Sequence, residues 1–250
     1  STSIINIRAK KKAIMHDKFI ENVTSEDVPF GVPTLPYEKP ELGKNYWICD
    51  NFFPEKTAVD IANRCFNKKK WKLGKPYTNE LWPGMRSKNA LKKKELEQVE
   101  QWVKQQINKD RLWVAESDSV VVDTNTAILV GGDEGAARPH VDNRQLCRYG
   151  AVLYLSKNPH PHSGTSFYRL KYANGAAGGN MVQAPYHNLV DALKTNSLPP
   201  SAWYEDYAIE NQFNRLILFK GNIAHSASGY FGKEKRDKRL AVTFFWMTDD

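Results

Sequence analysis

From Leu112 onward the chain is a succession of short β-rich runs, and this texture limits its possible folds more than any other feature. The runs are Ser119–Val122, Thr126–Val130, Gly150–Leu155, Ser166–Leu170, Leu216–Phe219 and Leu240–Trp246, with Gly, Pro and Asn between them. Many short strands separated by turn residues imply a sandwich or barrel.

The sequence ahead of Leu112 reads differently. Tyr46–Cys49 suits a short strand. A helix is expected from about Pro54 to Asn67, with proline in the first turn and Val59, Ala62, Cys65 and Phe66 on one stripe. A second is expected over about 89–108, where Leu91, Leu96, Val99, Trp102, Val103 and Ile107 keep helical spacing. Residues 1–45, with Pro29, Pro33, Pro36 and Pro40, suit an extended arm laid over the body. The expected organisation is therefore an arm (1–45) and one domain (46–250). That domain has helices over about 54–110 and a mainly β core over about 112–250. Residues 172–212 interrupt the core as a lid-like insertion, with Gly175, Gly178 and Gly179, a short helix near 188–194, and Trp203, Tyr204 and Tyr207. No internal repeat or low-complexity tract occurs.

Composition narrows the classes. Hydrophobic residues make up 41% and aromatic residues 12%, enough for a sizeable core. Mean hydropathy is -0.60, and no run approaches the roughly 18–20 apolar residues of a bilayer span. No apolar segment of signal-peptide type follows the N-terminal charges. Cys49, Cys65 and Cys147 are odd in number and widely spaced, which argues against a disulfide framework or a zinc knuckle and fits free thiols in the cytoplasm. The net charge of +8 is concentrated in Lys68-Lys69-Lys70 with Lys72 and Lys75, and in Lys88 with Lys92-Lys93-Lys94. Solvated helical faces explain such runs better than a nucleic-acid surface does.

The residues that carry chemistry start with His140-Val141-Asp142. On a strand, positions i and i+2 share a side, so an imidazole and a carboxylate can face one cation. His225, just after the run Leu216–Gly221, is the best third ligand. Two histidines and one carboxylate on one face of iron leave positions open for a 2-oxo acid and dioxygen. His160 and His162 sit in a turn, His187 lies in the insertion and His16 has no motif around it, so none is read as a ligand. Fourteen residues after His225, Arg239 leads into Leu240–Trp246, where an arginine can form a bidentate pair with a distal carboxylate. Arg236 competes with it for that role.

The order of these pieces resembles a known family. His140-Val141-Asp142 is followed by Arg148–Ser156, by Gly164-Thr165-Ser166-Phe167, by the Leu-Ile-Leu-Phe-x-Gly run before His225, and by a basic strand. The opening Trp47–Glu55 adds a strand, Asp-x-Phe and a helix. Over residues 46–250 this resembles the Fe(II)/2-oxoglutarate-dependent dioxygenases, nearest to the prolyl-4-hydroxylase-like branch. The resemblance implies an α+β, mainly β fold: a double-stranded β-helix (jelly roll, cupin-like) with N-terminal supporting helices. It implies iron(II) on His140, Asp142 and His225, 2-oxoglutarate anchored by Arg239, and dioxygen as second cosubstrate. Tyr149 and Tyr154 are candidate cosubstrate donors; they differ by an odd number, so only one can point inward. The implied reaction is oxidative decarboxylation of 2-oxoglutarate coupled to hydroxylation, since Asp142 occupies the place that related halogenases give to a small residue.

Two departures stand out. Prolyl hydroxylases usually have lysine at the position of Arg239, and the gap from His225 is lengthened by the charged loop 229–238. The expected substrate is an amino acid, peptide or other small metabolite, with Asn143, Arg148, Arg86 and Arg144 as candidate contacts, the arginines for an anionic group. Two other readings stay open. One is a nucleic-acid demethylase of the same superfamily, although Phe245 stands where that family has a second arginine. The other is a cupin-like metal-binding or non-catalytic module. Oligomeric state is not readable.

Overall fold

The structure, a computed structural model, describes residues 33–74, 82–117, 120–195 and 198–250. Its elements in chain order are β1 (Tyr46–Cys49), α1 (Glu55–Phe66), β2 (Lys72–Gly74), β3 (Trp82–Lys88), α2 (Lys93–Ile107), β4 (Leu112–Trp113), β5 (Glu116–Ser117), β6 (Val120–Val121), β7 (Thr126–Val130) and β8 (Tyr149–Tyr154). They continue with β9 (Thr165–Leu170), α3 (Leu189–Leu193), β10 (Trp203–Ile209), β11 (Leu216–Lys220), β12 (His225–Ala227) and β13 (Arg239–Thr248).

Strand periodicity decides the layers. Along β13, Leu240, Val242, Phe244 and Trp246 fall on one face and Arg239, Ala241, Thr243 and Phe245 on the other. The first set packs with Ile61, Cys65, Val99 and Val103 of the two helices, with Trp47 and with Leu153 of β8. Trp246 Nε1 also donates to Glu100 Oε2 of α2 at 2.9 Å. Ala241, on the opposite face, joins Val152, Tyr154, Phe167, Ile217 and Phe219 in a second cluster between two sheets. The chain is thus a helical layer, a large sheet, an inner space and a small sheet.

The large sheet has the order β1-β11-β8-β13-β7-β3-β2, with β4 paired to β13; the small sheet is β10-β9-β12. The pairings within both are antiparallel. Register sets the inward residues in rows. Tyr154, Ala241, Ile128 and Arg86 stand side by side, Ile217, Val152, Thr243 and Thr126 form the next row, and Phe219, Gly150 and Phe245 lie beyond. Two facing antiparallel sheets around such a space are the double-stranded β-helix that the family resemblance implied.

Three local features differ from expectation. The second helix begins at Lys93, because Asn89 is left-handed (φ 57°) and Ala90 and Leu91 give their N–H groups to Asn125. The stretch Trp82–Lys88 is a strand despite Pro83 and Gly84, with Met85–Lys88 paired to β7. Trp203–Ile209, expected within the insertion, is β10 and pairs along β9 from Leu170 to Thr165. Of the arm, residues 1–32 lie outside the described residues. Its Glu38 N–H donates to Asn180 Oδ1 (2.8 Å), Asn180 Nδ2 donates back to Glu38 O (2.7 Å), and the Tyr37 hydroxyl donates to Asp206 (2.8 Å). The described part of the arm is therefore tied to the 180 region and to β10. Among the described residues, no helix is long and apolar enough to cross a membrane.

Candidate metal centre

Backbone pairing brings the three sequence-predicted ligands together. His140 and His225 exchange two hydrogen bonds, N–H to O at 3.0 and 2.8 Å, and Asp142 N–H donates to Gly221 O at 2.8 Å. The side chains then converge. His140 Nε2 lies 3.7 Å from Asp142 Oδ1, and His225 Nε2 lies 3.5 Å from Asp142 Oδ2. One ligand atom from each residue lies within 4.8 Å of the others. Neighbouring ligands about 2.1 Å from a metal ion sit about 3.0–3.5 Å apart, so the three fit a cation without rearranging the backbone.

The opposite ring nitrogens are held. His140 Nδ1 is 2.8 Å from Arg138 O and His225 Nδ1 is 2.6 Å from Ile223 O, so Nδ1–H donates and each Nε2 keeps its lone pair for the centre. Burial, then repulsion from His225, pushes the His140 pKa down to about 4, so the ring is neutral near pH 7. Burial opposes ionisation of Asp142, but His225 and then His140 outweigh it and hold its carboxyl below the usual range. Burial likewise opposes charge on His225, yet Asp142 raises its pKa. A metal cation among the three would take over from that proton, because metal binding displaces protons from its ligands.

Space for the Asp142 carboxylate comes from two glycines. A Cβ on Gly221 would stand 2.8 Å from Asp142 Oδ2, and one on Gly150 would stand 3.5 Å from the same oxygen and 2.9 Å from the Phe219 ring. The buried Cys147 thiol donates towards Asp142 Oδ2 at 3.6 Å. Trp82 meets the His140 ring edge-on at 4.7 Å and carries the Arg138 guanidinium on its other contact, 4.4 Å from the ring. Gly150 and Gly221 lie in runs that the sequence marks, and Trp82 opens a segment expected at the pocket rim, but their contacts with Asp142 and His140 appear only in the structure.

Arg239 lies on the inward face of β13 and is buried. Its Nε donates to Ser163 O (2.6 Å) and one Nη to Gly164 O (3.0 Å), and the guanidinium stands 5.6 and 5.7 Å from the Tyr154 and Tyr230 rings. Among the described residues no carboxylate pairs with it. Tyr154 is fully buried on the inner face, with its hydroxyl 2.7 Å from Thr165 Oγ1. The Thr243 hydroxyl, one row along, is buried without a partner.

The other candidates are spread more widely. Tyr149 turns to the helical side, 6.1 Å from the Trp47 ring, and so faces away from the inner space. Arg236 lies outside against Phe66, bonded to Asn63 of α1 and to Asn67 just after it. Asn143 closes the turn after Asp142, accepting Gln145 N–H at 2.9 Å. Arg144 donates to Tyr186 O at 2.8 Å, and Arg148 reaches Asp250 at 3.7 Å. Burial and then repulsion by Arg148 lower the Arg144 pKa. Arg86 faces the inner space beside Ile128 and donates to Pro83 O at 3.2 Å.

A sequence model described as a family of unknown function (DUF6445) matches residues 40–245. The chain belongs to that family. No curated protein sequence matches this DUF6445 member. Among solved structures, the non-heme alpha ketoglutarate dependent carbocyclase SnoK from nogalamycin biosynthesis shares its fold, with TM-score 0.52 and 12% identity over 93% of this chain and 87% of that one. HygX from Streptomyces hygroscopicus, solved with nickel, 2-oxoglutarate and hygromycin B, gives 0.47 and 11% over 82% and 83%. A Pseudomonas putida prolyl-4-hydroxylase gives 0.44 and 15% over 81% and 93%.

Proposed function

We propose that this DUF6445 chain is a non-haem iron(II) oxygenase. It would couple oxidative decarboxylation of 2-oxoglutarate to hydroxylation of an unactivated C–H bond in an amino acid, peptide or other small metabolite. The observation that carries the reading is a buried arginine, Arg239, with no carboxylate partner among the described residues, facing the same inner space as a His-Asp-His cluster. Burying an unpaired cation is costly, so the site suits an anionic ligand. SnoK, an alpha ketoglutarate dependent carbocyclase, supports the reading through its fold.

His140, Asp142 and His225 would hold iron(II), leaving positions for other ligands. The bound iron, with 2-oxoglutarate and dioxygen as co-reactants, supplies the redox chemistry. The residues of the chain do the rest. Arg239 would donate to the far carboxylate of 2-oxoglutarate, with the Tyr154 and Thr165 hydroxyls beside it. Phe167, Phe219 and Trp82 wall the centre and exclude water. The free thiols Cys49, Cys65 and Cys147 fit a reducing, cytoplasmic setting.

Neither rival reading gains a supporting observation. Lys69, Lys70, Lys93 and Lys94 are exposed around the ends of α1 and α2, on the side of the large sheet away from the cluster. Among the described residues, His160 stacks on Phe231 and His162 pairs with Glu205, so neither adds a cupin-like ligand.

The test is a visible spectrum of the anaerobic protein with iron(II) and 2-oxoglutarate. A weak charge-transfer band near roughly 500–530 nm is expected, lost in His140→Ala and Asp142→Ala. Folded, iron-loaded protein without the band would sink the assignment.

A further inference from the structure

We infer that Asn211 is a positioning residue for Arg239, and that by holding the carbonyl under the guanidinium it sets the preference of the inner space for a 2-oxo acid with a distal carboxylate. The inference deepens the oxygenase reading and rests on it for the identity of that acid.

Arg239 and Asn211 meet on one oxygen. Ser163 O accepts Arg239 Nε–H at 2.6 Å and Asn211 Nδ2–H at 3.2 Å, so both lone pairs of the carbonyl are used. Gly164 O, one residue on, accepts an Arg239 Nη2–H at 3.0 Å and Ser228 N–H at 3.1 Å. Thr165 follows, with its hydroxyl 2.7 Å from that of Tyr154. Three consecutive residues thus form a platform under the guanidinium and beside Tyr154. Among the described residues Arg239 Nη1 makes no hydrogen bond, so its N–H groups are kept for a ligand.

The platform is held from behind by the chain leaving β10. A Cβ on Gly164 would collide with Ile209 O and stand 2.8 Å from Asn211 N, so the two backbones are in contact. Asn211 N–H donates to Pro161 O at 3.1 Å, and its side chain crosses to Ser163 O. Asn211 therefore grips both ends of the 161–163 turn. It is 5% exposed, and its Oδ1 is buried without a hydrogen-bond partner among the described residues. An apolar side chain would fill the place without an unmatched buried acceptor, so what the carboxamide adds is the bond to Ser163 O. That bond holds the Ser163 peptide against rotation and keeps Arg239 at one angle, as recognition of a planar carboxylate requires.

The full chain, loaded with Mn(II), is titrated by calorimetry with 2-oxoglutarate and with 2-oxobutyrate, which lacks the distal carboxylate. Wild-type protein should prefer 2-oxoglutarate. Asn211→Leu keeps the branched shape and removes the donor. It should weaken 2-oxoglutarate binding about tenfold, the size of one hydrogen bond to a charged group, and leave 2-oxobutyrate and Mn(II) affinity unchanged. Asn211→Asp, smaller and ionised, cannot donate to Ser163 O and sets a competing carboxylate beside the guanidinium. It should weaken 2-oxoglutarate at least as much. In an Arg239→Gln background Asn211→Leu should have no further effect on either acid. An undiminished preference for 2-oxoglutarate in both folded Asn211 variants overturns the inference. So does an equal loss of affinity for the two acids, or a loss of the same size without Arg239, since each marks a general structural role. Wild-type protein that binds Mn(II) but does not prefer 2-oxoglutarate fails one step earlier and removes the cosubstrate reading of Arg239 itself.

Discussion

At Gly221 a single hydrogen decides whether Asp142 can hold its place. An added Cβ would meet Asp142 Oδ2 at 2.8 Å and its Cβ at 3.1 Å, with Cys147 Sγ at 3.3 Å behind. The carboxylate would have to turn, while the backbone bond from Asp142 N–H to Gly221 O can stay. Gly221→Ala should therefore weaken Co(II) or Mn(II) binding by about 10–100-fold, as loss of an outer-shell support does, with the fold retained. Calorimetric titration beside circular dichroism checks this, and unchanged metal affinity would show that Asp142 is positioned from elsewhere. A second residue-scale case lies away from the centre. Asp206 is fully buried and its Oδ1 has no hydrogen-bond partner. Burial raises its pKa, and the Tyr37 hydrogen bond and the Arg169 charge only partly offset that. A raised folded value means that folding favours the protonated acid. The resulting stability is present below the ordinary carboxylate range and lost as pH rises through the folded value. Asp206→Asn keeps an acceptor for Tyr37 without the charge. It should raise Tm at about pH 8 by roughly 2–4 °C, the shift given by on the order of 1 kcal/mol in a chain of this size. The gain should shrink towards about pH 4. A Tm difference that does not vary with pH would locate the effect in something other than ionisation.

At the scale of elements, legibility followed apolar periodicity. β8, β11 and β13 carry unbroken apolar runs and stood out in the sequence; so did α1, whose buried residues Ala58, Ile61, Ala62, Cys65 and Phe66 keep helical spacing. β3 did not, because Pro83 and Gly84 interrupt it and its pairing with β7 covers only Met85–Lys88. β10 was hidden for another reason: its register with β9 shifts between Glu205 and Tyr207, and the bulge breaks the alternation that marks a strand. The convergence of His140 and Asp142 was legible because i and i+2 on an extended segment share a side, and that of His225 because it follows the apolar run Leu216–Gly221. Which tyrosine faces inward, Tyr149 or Tyr154, was reducible to parity but not decidable without the sheet. Nor could spacing separate Arg239 from Arg236. The pairing of β13 with β7 places Arg239 opposite Val130, whereas Arg236 falls in the loop against α1. Gly221, Gly150, Cys147 and Trp82 act through contacts of the folded chain, so the space and support they give Asp142 and His140 could not be read from their runs alone. The split faces of β13 also carry an expectation. Phe244 is fully buried on the helical side, stacked 5.5 Å from Trp246. Phe244→Ala should cost about 3–5 kcal/mol in chemical denaturation and leave the metal affinity of the folded protein intact. Lost metal affinity in protein still folded would mean that the two faces are coupled.

For the molecule as a whole, the helical side and the inner space contribute in opposite ways. Apolar groups pack tightly between the helices and the large sheet, whereas the inner space holds Arg239, the Thr243 hydroxyl and three potential metal ligands. A buried cation and unpartnered polar groups are tolerable if a ligand completes them, so binding should stabilise the entire chain. A ligand held at 100 times its Kd adds about 2.7 kcal/mol. For a chain of this size that is a rise in Tm of roughly 5–11 °C. Mn(II) alone should give one increment and 2-oxoglutarate a second that needs the metal. Asp142→Asn should lose both. Arg239→Gln should keep the first and lose the second, and with the ligand-free chain relieved of a buried charge, its own Tm should hold or rise. Differential scanning calorimetry with and without chelator separates these cases. A 2-oxoglutarate increment of full size in Arg239→Gln would remove that arginine from the cosubstrate site. No increment in metal-loaded wild-type protein would mean that the buried guanidinium serves the fold through Ser163 and Gly164 alone.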